Sequence, residues 1–104
     1  MSLSPLALTL HFEGFDWDEW NRHKNWEKHG VSFEEAEESF FDQNRVVFLD
    51  TRHAITESRH ILLGRTKNRR LLYIAFTIRR NRVRVISARD VRKLKEIKLY
   101  EKAA

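Results

Sequence analysis

Residues Leu71 to Arg89 constrain this chain more than any other stretch. The first eight, Leu71 to Ile78, are apolar, aromatic or β-branched, with Thr77 the most polar among them. Arg79-Arg80-Asn81 interrupts the run, and then Arg82 and Arg84 alternate with Val83 and Val85. A continuous apolar run reads as a strand buried on both sides, and strict alternation as a half-exposed one. The stretch therefore predicts a β-hairpin: a central strand, a tight turn, and a partner strand whose arginines share one face. From Arg79 to Lys95 there are eight Lys or Arg residues and a single acid, Asp90. Such a row repels itself unless an anion answers it, so the hairpin is the expected working surface.

Charge is distributed to the same effect. The chain carries a net +5, but residues 1–44 hold a balance of −7 and residues 45–104 one of +12. An acidic helical part beside a basic sheet part leaves the basic face for an acidic partner, phosphate backbone first and an acidic protein second. With 104 residues, 41% of them hydrophobic, a single domain over 1–104 can bury a modest core. The absence of cysteine removes disulfides, thiolate chemistry and Cys-ligated metal, and fits a reducing compartment. No apolar run approaches the ~20 residues of a membrane span, and Met1 to Leu10 lacks a basic leader region. The expected location is the cytoplasm, with no membrane contact.

In chain order, Phe12 to Phe15 is a weak strand. Asp16 is expected to cap a helix with Glu19 at its third position, running to about His29 and ending on a left-handed Gly30. Asp18, Arg22, Asn25 and His29 fall on one stripe of that helix, a polar face suited to hydrogen bonds with neighbouring loops. Ser32 and Glu35 form a second capping box, with Val31 stapled to Ala36 and with Phe33, Ala36 and Phe40 turned inward. Arg45 to Leu49 and Ser58 to Arg65 read as strands, with Gly64 marking a bulge or a close backbone approach. A closing helix follows Arg89, with Val91, Leu94 and Ile97 on its inner side. The order implies an α+β fold, an antiparallel sheet with the helices on one face and arginines on the other.

Chemistry in this sequence rests on cations. His23 and His29 lie about 240° apart on their helix and cannot share an ion as an i, i+4 pair would. His53 and His60 could approach each other with Glu57 between them, but no third ligand or metal-binding spacing accompanies them. No metal and no cofactor are expected, and there is no Gly-rich phosphate loop or serine nucleophile elbow. Metal-free RNA cleavage needs a base for the 2′-hydroxyl, cations for the crowded phosphorane, and an acid for the leaving 5′-oxygen. Arg79, Arg84 and Arg89 could hold the charge. Glu57, His53 or His60 could move the proton, and Tyr100 could stack on a base or bind phosphate. Composition alone favours a basic module that only binds nucleic acid or protein over one that cleaves.

Two blocks add a family. Phe15-Asp16-Trp17-Asp18, Asn25 and Lys28-His29-Gly30-Val31-Ser32-Phe33-Glu34-Glu35-Ala36 resemble the N-terminal signature of BrnT-type toxins. Glu57, Arg59, Gly64, Arg70-Leu71, Thr77, Arg84-Val85-Ile86-Ser87-Ala88-Arg89, Glu96 and Tyr100 resemble its second half, so the resemblance spans about residues 12 to 101. It implies a RelE-like fold and a metal-independent endoribonuclease that inhibits translation. It also implies a BrnA-like antitoxin that silences the toxin in a two-toxin, two-antitoxin complex and alone reaches operator DNA. Taking the resemblance together with the reading of the basic hairpin, Glu57, Arg59, Arg79, Arg84 and Arg89 are the candidate catalytic residues. Arg65, Arg70, Thr77, Arg80, Arg82, Lys93 and Tyr100 become candidate substrate contacts. Two positions depart from the family pattern: Asn21 stands where lysine is frequent, and Arg89 to Glu96 is one residue longer. The extra residue rotates the closing helix by about 100° and bears on the role of Tyr100.

Overall fold

The structure is a computed structural model, and it describes residues 11–50 and 58–103. In chain order come strand β1 (Gly14–Phe15), helices α1 (Glu19–His29) and α2 (Phe33–Phe40), and strands β2 (Val46–Leu49), β3 (His60–Arg65), β4 (Leu71–Arg79) and β5 (Arg82–Asp90). Helix α3 (Leu94–Ala103) closes the chain. The strands form one sheet in the order β1-β5-β4-β3-β2. All neighbouring pairs are antiparallel except β1, which runs parallel to β5 through Gly14 and Phe15. The α+β expectation holds, and the apolar run at 71–78 is indeed the central strand.

Alternation along β4 divides the core. Leu72, Ile74 and Phe76 face one way, joining Val31, Ala36, Phe40, Val83 and Val85, and Phe12, Phe15 and Trp17 pack against them. Tyr73 and Ala75 face the other way, with Val46, Ile61, Leu63, Leu99 and Tyr100. The second cluster contains the closing helix, so the helices do not all lie on one face: α2 covers one side of the sheet and α3 the other. The period of α3 identifies its apolar stripe but not which face of the sheet receives it. Its inner stripe is also not the expected one. Leu94 is 63% exposed, while Glu96 and Tyr100 are buried.

Helix α1 lies along the outer edge of β5. Because β1 is only two residues long, most of that edge would be open, and open edges invite pairing with other chains. Asn21 Nδ2 donates to the Val85 carbonyl at 3.3 Å, and the Ala88 N–H donates to Asn25 Oδ1 at 2.9 Å. The register steps from Ala75↔Ser87 to Phe76↔Val85, leaving Ile86 as the extra residue of a bulge. The Ile86 carbonyl accepts from Lys24 Nζ at 3.3 Å.

The helix corner follows the expectation at Gly30, which has φ 63°, and at the Ser32–Glu35 capping box. The first helix starts two residues later than expected. Asp18, not Asp16, is its cap, and Asn21 returns the bond to the Asp18 N–H at 2.7 Å. Gly64 marks a close approach: a Cβ there would overlap the Ser39 carbonyl oxygen at the end of α2.

Candidate functional site

The face carrying α3 holds a cleft of about 520 Å³, lined by Phe48, Leu49, Asp50, Ile61, Tyr73, Arg89, Lys93, Lys95, Glu96 and Leu99. Its lining is apolar along the sheet and cationic toward α3. Strand β5 delivers Arg89 opposite Tyr73 on β4, and the guanidinium carbon lies 4.0 Å from the centre of the Tyr73 ring. Arg89 Nη2 donates to Glu96 Oε2 at 3.2 Å, and Nη1 donates to the Asp90 carbonyl at 2.9 Å. A planar cation held by a ring, a carboxylate and a carbonyl is fixed in orientation before any ligand arrives.

The other expected site residues are dispersed. Arg59 forms an ion pair with Asp50 at 3.4 Å, on the rim of the cleft. Arg84 pairs with Asp18 at 2.8 Å and Asp16 at 3.6 Å, at the start of α1. Arg79, Arg80 and Arg82 sit at the hairpin tip, where Arg79 faces Arg82 across the last rung. Six residues of β4 separate Tyr73 from Arg79, about 20 Å at strand rise. Arg79, Arg84 and Arg89 thus do not converge on one phosphate, although alternation suggested a common row. Lys93 alone of the expected substrate contacts joins Arg89 in the cleft. Glu57 and His53 lie outside the described residues.

Four expected substrate contacts are engaged by the fold itself. Thr77 is 2% exposed, and its hydroxyl donates to the Ser58 carbonyl at 2.8 Å. Tyr100 is 4% exposed, and its hydroxyl donates to Asp42 Oδ2 at 2.5 Å, so the ring has no open face for a base. Burial, reinforced by that bond, pushes the Tyr100 hydroxyl up to about 12. Burial pulls Asp42 upward, but Tyr100 and the N–H groups of Arg65 and Asn44 outweigh it and hold the carboxyl below its usual range. Arg70 donates to both Asp90 oxygens, at 2.6 and 3.0 Å, to Glu35, and to the His29 and Gly30 carbonyls. Hydrogen bonding to Asp90 raises Arg70 further above its ordinary value. Arg65 lies over the Tyr100 ring at 5.3 Å and donates to the Arg69 carbonyl.

His60 stacks on Phe76, and burial lowers its pKa. Phe76 belongs to the α2 side of the sheet, so His60 is turned away from the cleft. Among the described residues, no group of three His, Asp or Glu is placed to hold a metal ion. Sequence reasoning missed the cleft positions Asp50, Tyr73 and Lys95, which come from the residue after β2, from β4 and from α3. It also missed Asn21, whose N-cap role has its signal in the Asp-x-x-Asn spacing from Asp18.

Residues 17–95 match the family of the ribonuclease toxin BrnT of type II toxin–antitoxin systems. The chain belongs to that family. Its fold is similar to the crystal structure, at 1.1 Å resolution, of the Brucella abortus ribonuclease toxin BrnT. The two share 27% sequence identity with a TM-score of 0.59, over 77% of this chain and 97% of that one. No curated protein sequence matches the chain. Membership in the BrnT family assigns the class, a ribonuclease toxin. No helix among the described residues is long and apolar enough to cross a membrane.

Proposed function

We propose that the chain is a metal-independent endoribonuclease whose reaction centre is the cleft beneath α3, with Arg89 as the cation that holds the scissile phosphate. The observation that carries this reading is the preorganised Arg89 guanidinium beside Lys93 and Lys95 in a cleft with an apolar floor. Charge develops on the phosphorane oxygens during 2′-hydroxyl attack. Donors fixed in advance stabilise that charge without reorganising, which is worth about 10²–10³ in rate per donor. The apolar wall of Phe48, Ile61, Tyr73 and Leu99 suits an unstacked base, as single-stranded RNA presents. Arg59, ion-paired at the cleft rim, is assigned to the same centre. Glu57, two residues before Arg59 in sequence, is assigned the role of base.

Family membership supports an antitoxin partner. We assign a BrnA-like protein that silences the toxin in a two-toxin, two-antitoxin complex, contacts operator DNA on its behalf, and acts with it in the cytoplasm. Translation inhibition follows if the RNA cleaved is messenger RNA.

One observation favours the alternative of a binding module that does not cleave: Glu96 already neutralises Arg89, as a purely structural pair would. Arg89→Ala separates the two readings. With end-labelled RNA in EDTA, the wild type cleaves, and the variant is slower by about 10²–10³ while its RNA affinity falls less than tenfold. A stable variant that cleaves at the wild-type rate overturns the assignment. Loss of melting temperature together with activity assigns Arg89 to anchoring α3. Cleavage only after divalent cation is added overturns metal independence.

A further inference from the structure

The β4–β5 turn is built against local preference. Only Arg80 and Asn81 separate the strands, and both have positive φ, 52° and 65°. That is the geometry of a two-residue turn that normally selects Asn, Asp or Gly at both positions. Asn81 tolerates it, whereas Arg80 has a Cβ that crowds the backbone in the left-handed region. The rung below sets Arg79 directly opposite Arg82. A locally disfavoured residue choice and this rung together gather three guanidiniums at one turn. Elsewhere in the molecule Arg59, Arg70, Arg84 and Arg89 each have a carboxylate partner. Among the described residues, Arg80 and Arg82 have none, and both are exposed.

We infer that this tip is a second RNA-phosphate contact, separate from the cleft, and that the substrate is a single strand long enough to engage both. The inference rests on the RNA reading of the cleft given above. Strand geometry sets the length. The tip lies about 20 Å from Arg89 along the hairpin. At about 3.4 Å of stacked strand per nucleotide, roughly six nucleotides span that distance. A trinucleotide fills the cleft alone. A longer strand reaches the tip and gains phosphate contacts there. The cleft then supplies the chemistry and the tip supplies affinity and direction along the strand.

Arg80→Gly tests this because its two expected effects have opposite signs. Glycine accepts positive φ without a Cβ penalty, so the melting temperature equals or exceeds that of the wild type. Binding is measured by fluorescence anisotropy with non-cleavable 2′-O-methyl oligouridines of 3 and 12 nucleotides, across a salt series. The wild type binds the 12-mer more tightly than the trimer. In the variant, 12-mer affinity falls about three- to tenfold, and the slope of log affinity against log salt shrinks by about 0.7, one single-strand phosphate contact. Trimer affinity is unchanged. An unaltered 12-mer affinity in the variant overturns the tip contact, as does an equal loss for both oligonucleotides. Loss of antitoxin binding with RNA binding intact assigns the tip to protein recognition and overturns it too. If the wild type binds neither oligonucleotide, the RNA reading itself falls, and the tip contact with it.

Discussion

The Tyr100 hydroxyl has left water and gained a carboxylate partner, and both changes disfavour the phenolate. Its folded-state pKa is raised from the ordinary 10.0 to about 12. The sign of the consequence follows from proton counting. Between pH 10 and 12 the folded chain holds a proton that the unfolded chain has released, so stability falls as pH rises through that window. Below pH 10 the contribution is complete. Tyr100→Phe removes it, so the alkaline limb of a urea-denaturation series flattens between pH 10 and 12. The variant also leaves Asp42 with the Arg65 and Asn44 N–H groups alone, at a cost of about 1–2 kcal/mol near neutrality. An alkaline limb as steep as that of the wild type would show that another group governs it. The experiment also bears on function, because a tyrosine so committed is unsuited to giving its proton to a leaving oxygen.

At the scale of elements, the organising contact is that of α1 with the edge of β5. The Ala88 N–H is wholly buried, and Asn25 Oδ1 is its acceptor. Asn25→Ala leaves that donor unsatisfied, which costs about 1–3 kcal/mol. Native-state hydrogen exchange should show Ala88 accelerated far more than Ile74 in the central strand. Equal acceleration at both would mean a global loss instead of an edge defect. The elements themselves were largely legible in the sequence. A continuous apolar run gave β4, period two gave β5, the Ser32–Glu35 spacing gave the start of α2, and Gly30 gave the corner, because each signal is local. What could not be read depends on contacts between distant segments. The Asp16–Glu19 spacing pointed to Asp16 as the cap of α1, and reciprocity from Asn21 selects Asp18 instead. Alternation turned Arg84 toward an anion, but nothing local says that the anion is Asp18, 66 positions away. The inner stripe of α3 is set by Glu96 meeting Arg89 and Tyr100 meeting Asp42, so Leu94 is left outside although it fits the apolar period. The cleft was illegible for the same reason: its floor comes from β2, β3 and β4 and its rim from β5 and α3.

For the whole molecule, Arg70 ties the parts together. It begins the approach to β4, and its guanidinium reaches the α1–α2 corner through the His29 and Gly30 carbonyls, α2 through Glu35, and the end of β5 through Asp90. A single exposed ion pair is worth little. Here one planar cation satisfies two carbonyls and two carboxylates, and the bidentate bond to Asp90 adds geometric order. Arg70→Met should therefore cost about 2–3 kcal/mol at neutral pH, the scale of hydrogen bonds to a charged group. The effect should also depend on pH. Hydrogen bonding to Arg70 lowers the Asp90 pKa below its ordinary 3.8. A depressed carboxyl contributes stability that is complete above the unfolded value and is lost as pH falls through the folded one. The difference between wild type and Arg70→Met should accordingly shrink as pH falls below about 4, when Asp90 takes up its proton. Chemical denaturation from pH 7 to pH 2 measures it. If the difference stayed constant across that range, Asp90 would not be the partner that matters, and the cost would belong to the carbonyls of the helix corner. If the variant were as stable as the wild type at pH 7, Arg70 would be free to serve RNA, as its place in the family pattern first suggested.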